Sequence, residues 1–288
     1  MTTKEYLDQW LETFVRPFRA ASTAACYRRA INALPQSLAD CPLDQLNGLT
    51  IQAHLNTQAK SHPRAAQLSY ATLHAAMNKA VDLGLLLRSP LAGCIKPQHT
   101  AKRAVVLSLD QLASYIDAAR SQPAFVLLLL MSTCGLRRGE ALGLMWQDVT
   151  GDAMHIRRQR VRIDRAYRVT GLKSKAAHRT LPIAPPIAAE LARISVRSIT
   201  GWVCDVTPEA LRKQHMAALA AAGLPPVTLH GLRHSMATAA AADGCPIKVL
   251  QGILGHARYQ LTADLYADHL QTENYAPSMA SLAAAVMG

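Results

Sequence analysis

The chain is short of everything that would supply a disulfide frame, a metal cage, a leader or a membrane anchor. Its six cysteines, Cys26, Cys41, Cys94, Cys134, Cys204 and Cys245, are scattered and form no C-x-x-C pair. Neither a zinc framework nor a thioredoxin-like redox motif is written in them. Residues 1–20 carry charges throughout, unlike a secretory leader. The longest apolar run, Phe125–Met131, is far shorter than the roughly 20 residues a bilayer helix needs. There is no G-x-x-x-x-G-K-[ST] loop to imply nucleotide hydrolysis, and no carboxylate cluster of the kind a two-metal nuclease uses. The expectation is a cytoplasmic protein with reduced thiols and no cofactor.

What is present is positive charge. The 288 residues hold 31 Lys and Arg against 19 Asp and Glu, a net charge of +12, with basic residues in excess in both halves. A polyanionic partner is the natural reading, because phosphate neutralisation with counterion release is the main source of non-specific nucleic-acid affinity. Half of the residues are hydrophobic, enough for a sizeable core, and the length suits two domains.

Helical spacing dominates the first third. Tyr6, Leu7, Trp10, Leu11, Phe14 and Val15 recur at three and four residues and predict the first helix. Ser22 or Thr23 can cap a second through Leu34. Thr50 can cap a third, and a fourth runs from about Ala65 to Leu83, where Gly84 offers a stop. Pro90, Gly93 and Pro97 break this pattern, so residues 1–97 form a helical module and the polar, basic stretch 98–104 reads as a linker. From 105 to 288 the chain is again mostly helical. Ser108-Leu109-Asp110-Gln111 is a capping box, Phe125–Ser132 an apolar helix, and Thr207-Pro208-Glu209 a helix start with Pro at the first position. Further helices follow over Thr228–Ala242, Pro246–Leu254 and Thr262–Leu270. Between Ala153 and Ile183, apolar residues interleaved with arginines predict one small antiparallel sheet. Residues 157–179 hold nine basic side chains against Asp164 alone. Arg157, Arg160, Lys175 and Arg179 are its candidate DNA contacts.

Chemistry is carried by an ordered series. Arg137 stands at a helix junction in Thr133-Cys134-Gly135-Leu136-Arg137-Arg138-Gly139-Glu140, a setting that lets a guanidinium point into a cleft. His230 and Arg233 are three apart and share one helix face. His234 is four from His230, an H-x-x-x-H pair, but the Glu of H-E-x-x-H and a third ligand are missing, so zinc is not expected and His234 reads as structural. His256 follows Gly255, and Tyr266 lies ten residues on in Thr262-Ala263-Asp264-Leu265-Tyr266. Tyr259 lacks that context and ranks below it. Two guanidiniums, two imidazoles and a phenol suit attack by a tyrosine on a phosphodiester. The arginines would grip the non-bridging oxygens and do the work a metal ion does elsewhere.

The series Arg, His-x-x-Arg, His, Tyr resembles the tyrosine recombinases, also called the phage integrase family. The stretch around Arg137 is similar to its T-x-G-L-R-x-x-E setting, and Leu172–Pro182 is similar to its K-T-x-x-S-x-R-x-x-P hairpin. The resemblance covers nearly the whole chain. It implies a mainly α architecture: a SAM-like core-binding domain at 1–97, a linker at 98–104 and a catalytic domain at 105–288, closing as a C-shaped clamp on duplex DNA. It also implies Tyr266 as nucleophile, forming a 3′-phosphotyrosyl intermediate. His230 assists the proton transfer, while Arg137, Arg233 and His256 hold the charge. Lys173 protonates the 5′ leaving oxygen, with Lys175 as the alternative. Strands would be exchanged through a Holliday junction by a homotetramer on two duplexes. An N-terminal arm-binding module is expected to be absent. The apolar stripe Met279, Leu282, Ala283, Val286 and Met287 would dock on a neighbouring protomer or pack on its own domain. A type IB topoisomerase and a non-catalytic DNA-binding protein on the same fold are the alternatives.

Overall fold

Thr2 accepts the backbone N–H of Glu5 while the Glu5 carboxylate takes that of Thr2, so the first helix starts at the third residue. The computed structural model describes residues 1–99, 105–163, 166–172, 174–195 and 200–267, with side chains excepted at 195 and 264–267. The chain divides into two compact units, residues 1–102 with 163–166, and 103–162 with 167–288.

In the first unit α1 (Thr3–Trp10) widens into a π-helical turn, Leu11–Val15, where a single regular helix is expected. It is followed by α2 (Ala21–Asn32), α3 (Gln36–Ala39), α4 (Gly48–Ser61) and α5 (Pro63–Asp82). Tyr6, Leu7, Leu11, Ile31, Ile51, Leu55 and Met77 form the core. The Tyr6 hydroxyl reaches into it to donate to Ala76 O at 2.6 Å. Two cap expectations fail. The start of α2 has no side-chain cap. In α4 the cap is Asn47, whose side chain accepts the Thr50 N–H at 3.0 Å. Thr50 is thus the donor partner inside the first turn, three residues past the cap.

The second unit opens with α6 (Leu109–Ala119), begun by the expected Ser108–Gln111 capping box. Next is α7 (Phe125–Thr133), in which every residue from Phe125 to Ser132 is buried. A helix apolar all round belongs at the centre of its domain, and α6, α8 (Arg138–Leu142), α9 (Pro185–Ser195) and α11 (Leu229–Ala242) all pack on it. Where one sheet is expected, two form. The strands β1 (Val149–Thr150), β2 (Ala153–Ile156) and β5 (Arg179–Pro182) make an antiparallel sheet in the order β1-β2-β5. The strands β3 (Arg158–Ile163) and β4 (Ala166–Gly171) pair separately. The break falls at Arg157, beside which Arg158 is drawn onto the buried carboxylate of Asp148. The remaining helices are α10 (Pro208–Ala221), α12 (Ile247–Leu254) and α13 (Gln260–Ala267).

A buried relay sets where α11 begins. The Tyr115 hydroxyl meets His215 Nδ1 at 2.9 Å, and His215 Nε2 meets Val227 O at 2.9 Å. A carbonyl only accepts, so His215 is the neutral Nε2–H tautomer and Tyr115 is the donor to Nδ1. Burial agrees, lowering the His215 pKa and raising that of Tyr115. Val227 immediately precedes Thr228, the N-cap of α11. Tyr115→Phe leaves Nδ1 buried without its donor and is expected to cost about 1–3 kcal/mol of stability. Urea unfolding reads this directly, and a cost near zero would contradict the relay.

Candidate active site

The site is assembled from the ends of helices. α7 stops at Cys134, and Gly135, at φ +63°, turns the chain in a left-handed conformation that L side chains resist. The turn delivers Arg137 to the N-cap of α8. The Arg137 backbone N–H and Nη1 both donate to Glu140, at 3.0 and 2.7 Å, and Nη2 donates to Gly255 O at 3.2 Å. Glu140 is 2% exposed and also receives Arg179 Nη2 at 2.9 Å. Burial opposes its charge, but the bonds and charges of Arg179 and Arg137 outweigh it and hold the carboxyl below the usual range.

α11 contributes the next group. Thr228 caps it by accepting the Gly231 N–H at 2.9 Å, which places His230 in the first turn and Arg233 one turn further. Arg233 is 2% exposed and donates to Gly135 O and Leu254 O. Burial, then the charge of Arg137, lowers its pKa to about 9, so it stays cationic at neutral pH.

α12 ends in Gly255 at φ +59°, and a Cβ there would lie 2.8 Å from Ala176 O and 3.2 Å from Ala177 Cα. Only glycine lets the helix end approach the turn Lys175–Ala177 so closely. His256 follows. Its Nδ1 lies 3.0 Å from Oγ1 of the buried Thr262 on α13, and its carbonyl accepts Gln251 Nε2 at 3.1 Å.

Arg137, His230, Arg233, His234, His256 and Leu261 line one cavity of about 270 Å³. Among the described residues its wall holds two guanidiniums and three imidazoles and no carboxylate, a lining that suits an anion. His234, expected to be structural, reaches this wall and packs edge-on to His230 with ring centroids 4.9 Å apart. The surrounding protein, then Arg233 and Arg137, push His256 down to about 4. His230 is lowered likewise, by burial and then by His234, Arg233 and Arg137. Both imidazoles are therefore neutral near pH 7 and can take up or pass on a proton.

Four of the six expected catalytic residues, Arg137, His230, Arg233 and His256, thus converge. Tyr266 lies on α13, the helix whose Leu261 borders the cavity, and its side chain is outside the described residues. Lys173 and the stripe Met279–Met287 are outside them too. Of the candidate DNA contacts, Lys175 is exposed on its turn, and Arg157 is 56% exposed at 3.9 Å from Asp148. Arg160 pairs with Asp205 at 2.8 Å and lies over the rings of Tyr167 and Trp202. Arg179 points inward, with its side chain only 6% exposed. A groove of about 770 Å³ beside the cavity adds Arg138, Arg162 and Arg212. Arg212 stands on α10 next to Lys213, and no spacing in the sequence points to it.

The model of the phage integrase family matches residues 106–273. The chain belongs to the phage integrase family. It is a DNA-acting, tyrosine-type site-specific recombinase. Among relatives, the putative prophage phiRv2 integrase of Mycobacterium tuberculosis is 28% identical over 90% of this chain and 74% of its own length. The integrase of Mycobacterium phage L5 is 26% identical over 98% and 80%, and a XerC-like tyrosine recombinase of Caldanaerobacter subterraneus is 25% identical over 92% and 79%. In fold, this integrase is similar to the Tn1549 transposon integrase in complex with a circular intermediate DNA, with a TM-score of 0.82 at 18% identity over 98% of this chain and 99% of that one. It is also similar to a lambda integrase tetramer bound to a Holliday junction, with a TM-score of 0.73 at 20% identity over 90% and 78%. No helix among the described residues is long and apolar enough to cross a membrane.

The depressed histidines have a pH signature. Their folded-state values lie below the ordinary 6.5, so the stability tied to their neutral forms is complete above about pH 6.5 and is lost as pH falls toward 4. In the DNA-free integrase, side-chain ¹⁵N NMR is expected to show His230 and His256 neutral at pH 6. A charged His256 at that pH would contradict the electrostatics of the site.

Proposed function

We propose that this integrase cuts and rejoins double-stranded DNA with Tyr266 as nucleophile. The Tyr266 oxygen attacks the scissile phosphorus, its proton passes to His230, and the bond from phosphorus to the 5′ oxygen breaks. Lys173, or Lys175 in its place, protonates that oxygen. Arg137, Arg233 and His256 hold the charge that accumulates on the non-bridging oxygens. The product is a 3′-phosphotyrosyl enzyme and a free 5′ hydroxyl. A 5′ hydroxyl from the partner duplex then reverses the step and passes the strand through a Holliday junction. The linkage keeps the bond energy of the broken strand, so religation needs no nucleotide.

The observation that carries this proposal is the cavity itself: Arg137 from the start of α8, His230 and Arg233 from α11, and His256 from the end of α12 share one wall, and α13 brings Tyr266's helix to it. Residues 1–97 would act as the core-binding domain and residues 105–288 as the catalytic domain, clamped around the duplex. Arg157, Lys175 and the groove residues Arg138, Arg162 and Arg212 would meet phosphates. The tetramer of lambda integrase on a Holliday junction supports a homotetramer on two duplexes, and its place of action would be the cytoplasm. The topoisomerase and non-catalytic alternatives are not favoured, since the matched relatives are integrases and recombinases.

Tyr266→Phe is expected to bind a target duplex as the unaltered protein does, yet to trap no covalent adduct on a suicide substrate nicked near the cleavage point. Undiminished adduct would assign the nucleophile elsewhere. Arg137→Lys is expected to slow adduct formation by on the order of 10²–10³, measured in single turnovers at saturating DNA.

A further inference from the structure

Three successive carbonyls at the C-terminus of α12 each accept a different arginine. Ile253 O takes Arg179 Nε at 2.6 Å, Leu254 O takes Arg233 Nη2, and Gly255 O takes Arg137 Nη2 at 3.2 Å. Two of these arginines line the anion cavity. Arg179 lines neither that cavity nor the groove beside it, and its other donors also turn inward. Nη1 reaches Ala177 O at 3.0 Å and Nη2 reaches Glu140 at 2.9 Å. One guanidinium therefore touches the turn that carries Lys175, the helix end that precedes His256, and the carboxylate that grips Arg137.

We infer that Arg179 is a positioning residue, which neutralises the buried Glu140 and thereby leaves the charge of Arg137 directed at the scissile phosphate. Charge points the same way as geometry. Glu140 is buried, and a buried carboxylate must be compensated. With Arg179 present, two guanidiniums share one carboxylate and the trio carries a net positive charge. Without it, Arg137 is the one counterion of Glu140 left among the described residues, and the pair is neutral where an anion must bind. The inference rests on Arg137 being catalytic, as proposed above.

The experiment uses the full-length protein and a duplex carrying its target site, and compares Arg179→Met, Glu140→Gln and their double variant. DNA affinity, its salt dependence, the thermal midpoint and the single-turnover cleavage rate at saturating DNA are all measured. Arg179→Met is expected to slow cleavage by on the order of 10–10² while affinity and salt slope stay unchanged. Glu140→Gln is expected to recover part of that loss, because it removes the charge Arg179 was compensating. Weakened binding with a shallower salt slope would overturn the inference by making Arg179 a phosphate contact. An unchanged rate, or a double variant slower than Arg179→Met, would overturn it as well. If Arg179→Met does not fold, Arg179→Lys keeps the charge beside Glu140 and is expected to cleave within a few-fold of the unaltered rate at unchanged affinity, whereas a loss as large as that expected of Arg179→Met would overturn the inference by showing that the directed bonds and not the charge matter. Were Arg137→Lys to cleave normally, the catalytic assignment would fail instead, independently of Arg179.

Discussion

The negative end of α12 is where the second unit of this protein is tied together. A helix leaves its last carbonyls without intrahelical partners and concentrates partial negative charge there. Here Ile253, Leu254 and Gly255 present those carbonyls to guanidiniums arriving from β5, α11 and the α7–α8 turn. Each bond satisfies an acceptor that would otherwise be orphaned, and each fixes a long side chain that would otherwise be free. The left-handed Gly255 makes this possible by ending the helix against the turn at Ala176 with no side chain between them. His256 is the next residue, so the same stop that organises the arginines also aims the imidazole.

This arrangement places positive charge before any substrate arrives. Pre-set donors accelerate a reaction because they need not reorganise as charge develops. Arg137 and Arg233 are each held by protein acceptors on one side and open to the cavity on the other. The Glu140 carboxylate is kept behind them and shared between Arg137 and Arg179. Burial, helped by these same cations, keeps His230 and His256 uncharged. Two kinds of group thus share a crowded basic pocket in different states: the guanidiniums are cationic and the imidazoles neutral.

Much of this was legible in the sequence, and what was not has a physical reason. Arg137, the His230–Arg233 pair and His256 stood in short local patterns next to helix ends, and local geometry is what a sequence encodes most directly. The capping box at Ser108 was readable for the same reason. The cap of α4 was misread because Asn47 and Thr50 are both cap-forming residues and only the backbone decides which accepts. Where one sheet is expected two form, and the break falls beside the pair of Arg158 with the buried Asp148, a contact that no alternation of residues announces. Arg179 shows the limit most clearly. In a stretch rich in arginine it looked like any other cation facing DNA, and only its partners on α8 and α12, far away in sequence, reveal that it faces the core.

The close stop of α12 against the Lys175–Ala177 turn is the contact on which the arginine positions depend. The most direct measurement is single-turnover strand cleavage by Gly255→Ala at saturating DNA, with affinity measured alongside. A methyl at this position is disfavoured by φ and by the 2.8 Å approach to Ala176 O. It should displace the carbonyls that hold Arg137 and Arg233 together with His256, so cleavage should fall by on the order of 10² while the folded protein still binds DNA. A variant that folds and cleaves at the original rate would show that these carbonyls do not set the arginines, and would contradict the account.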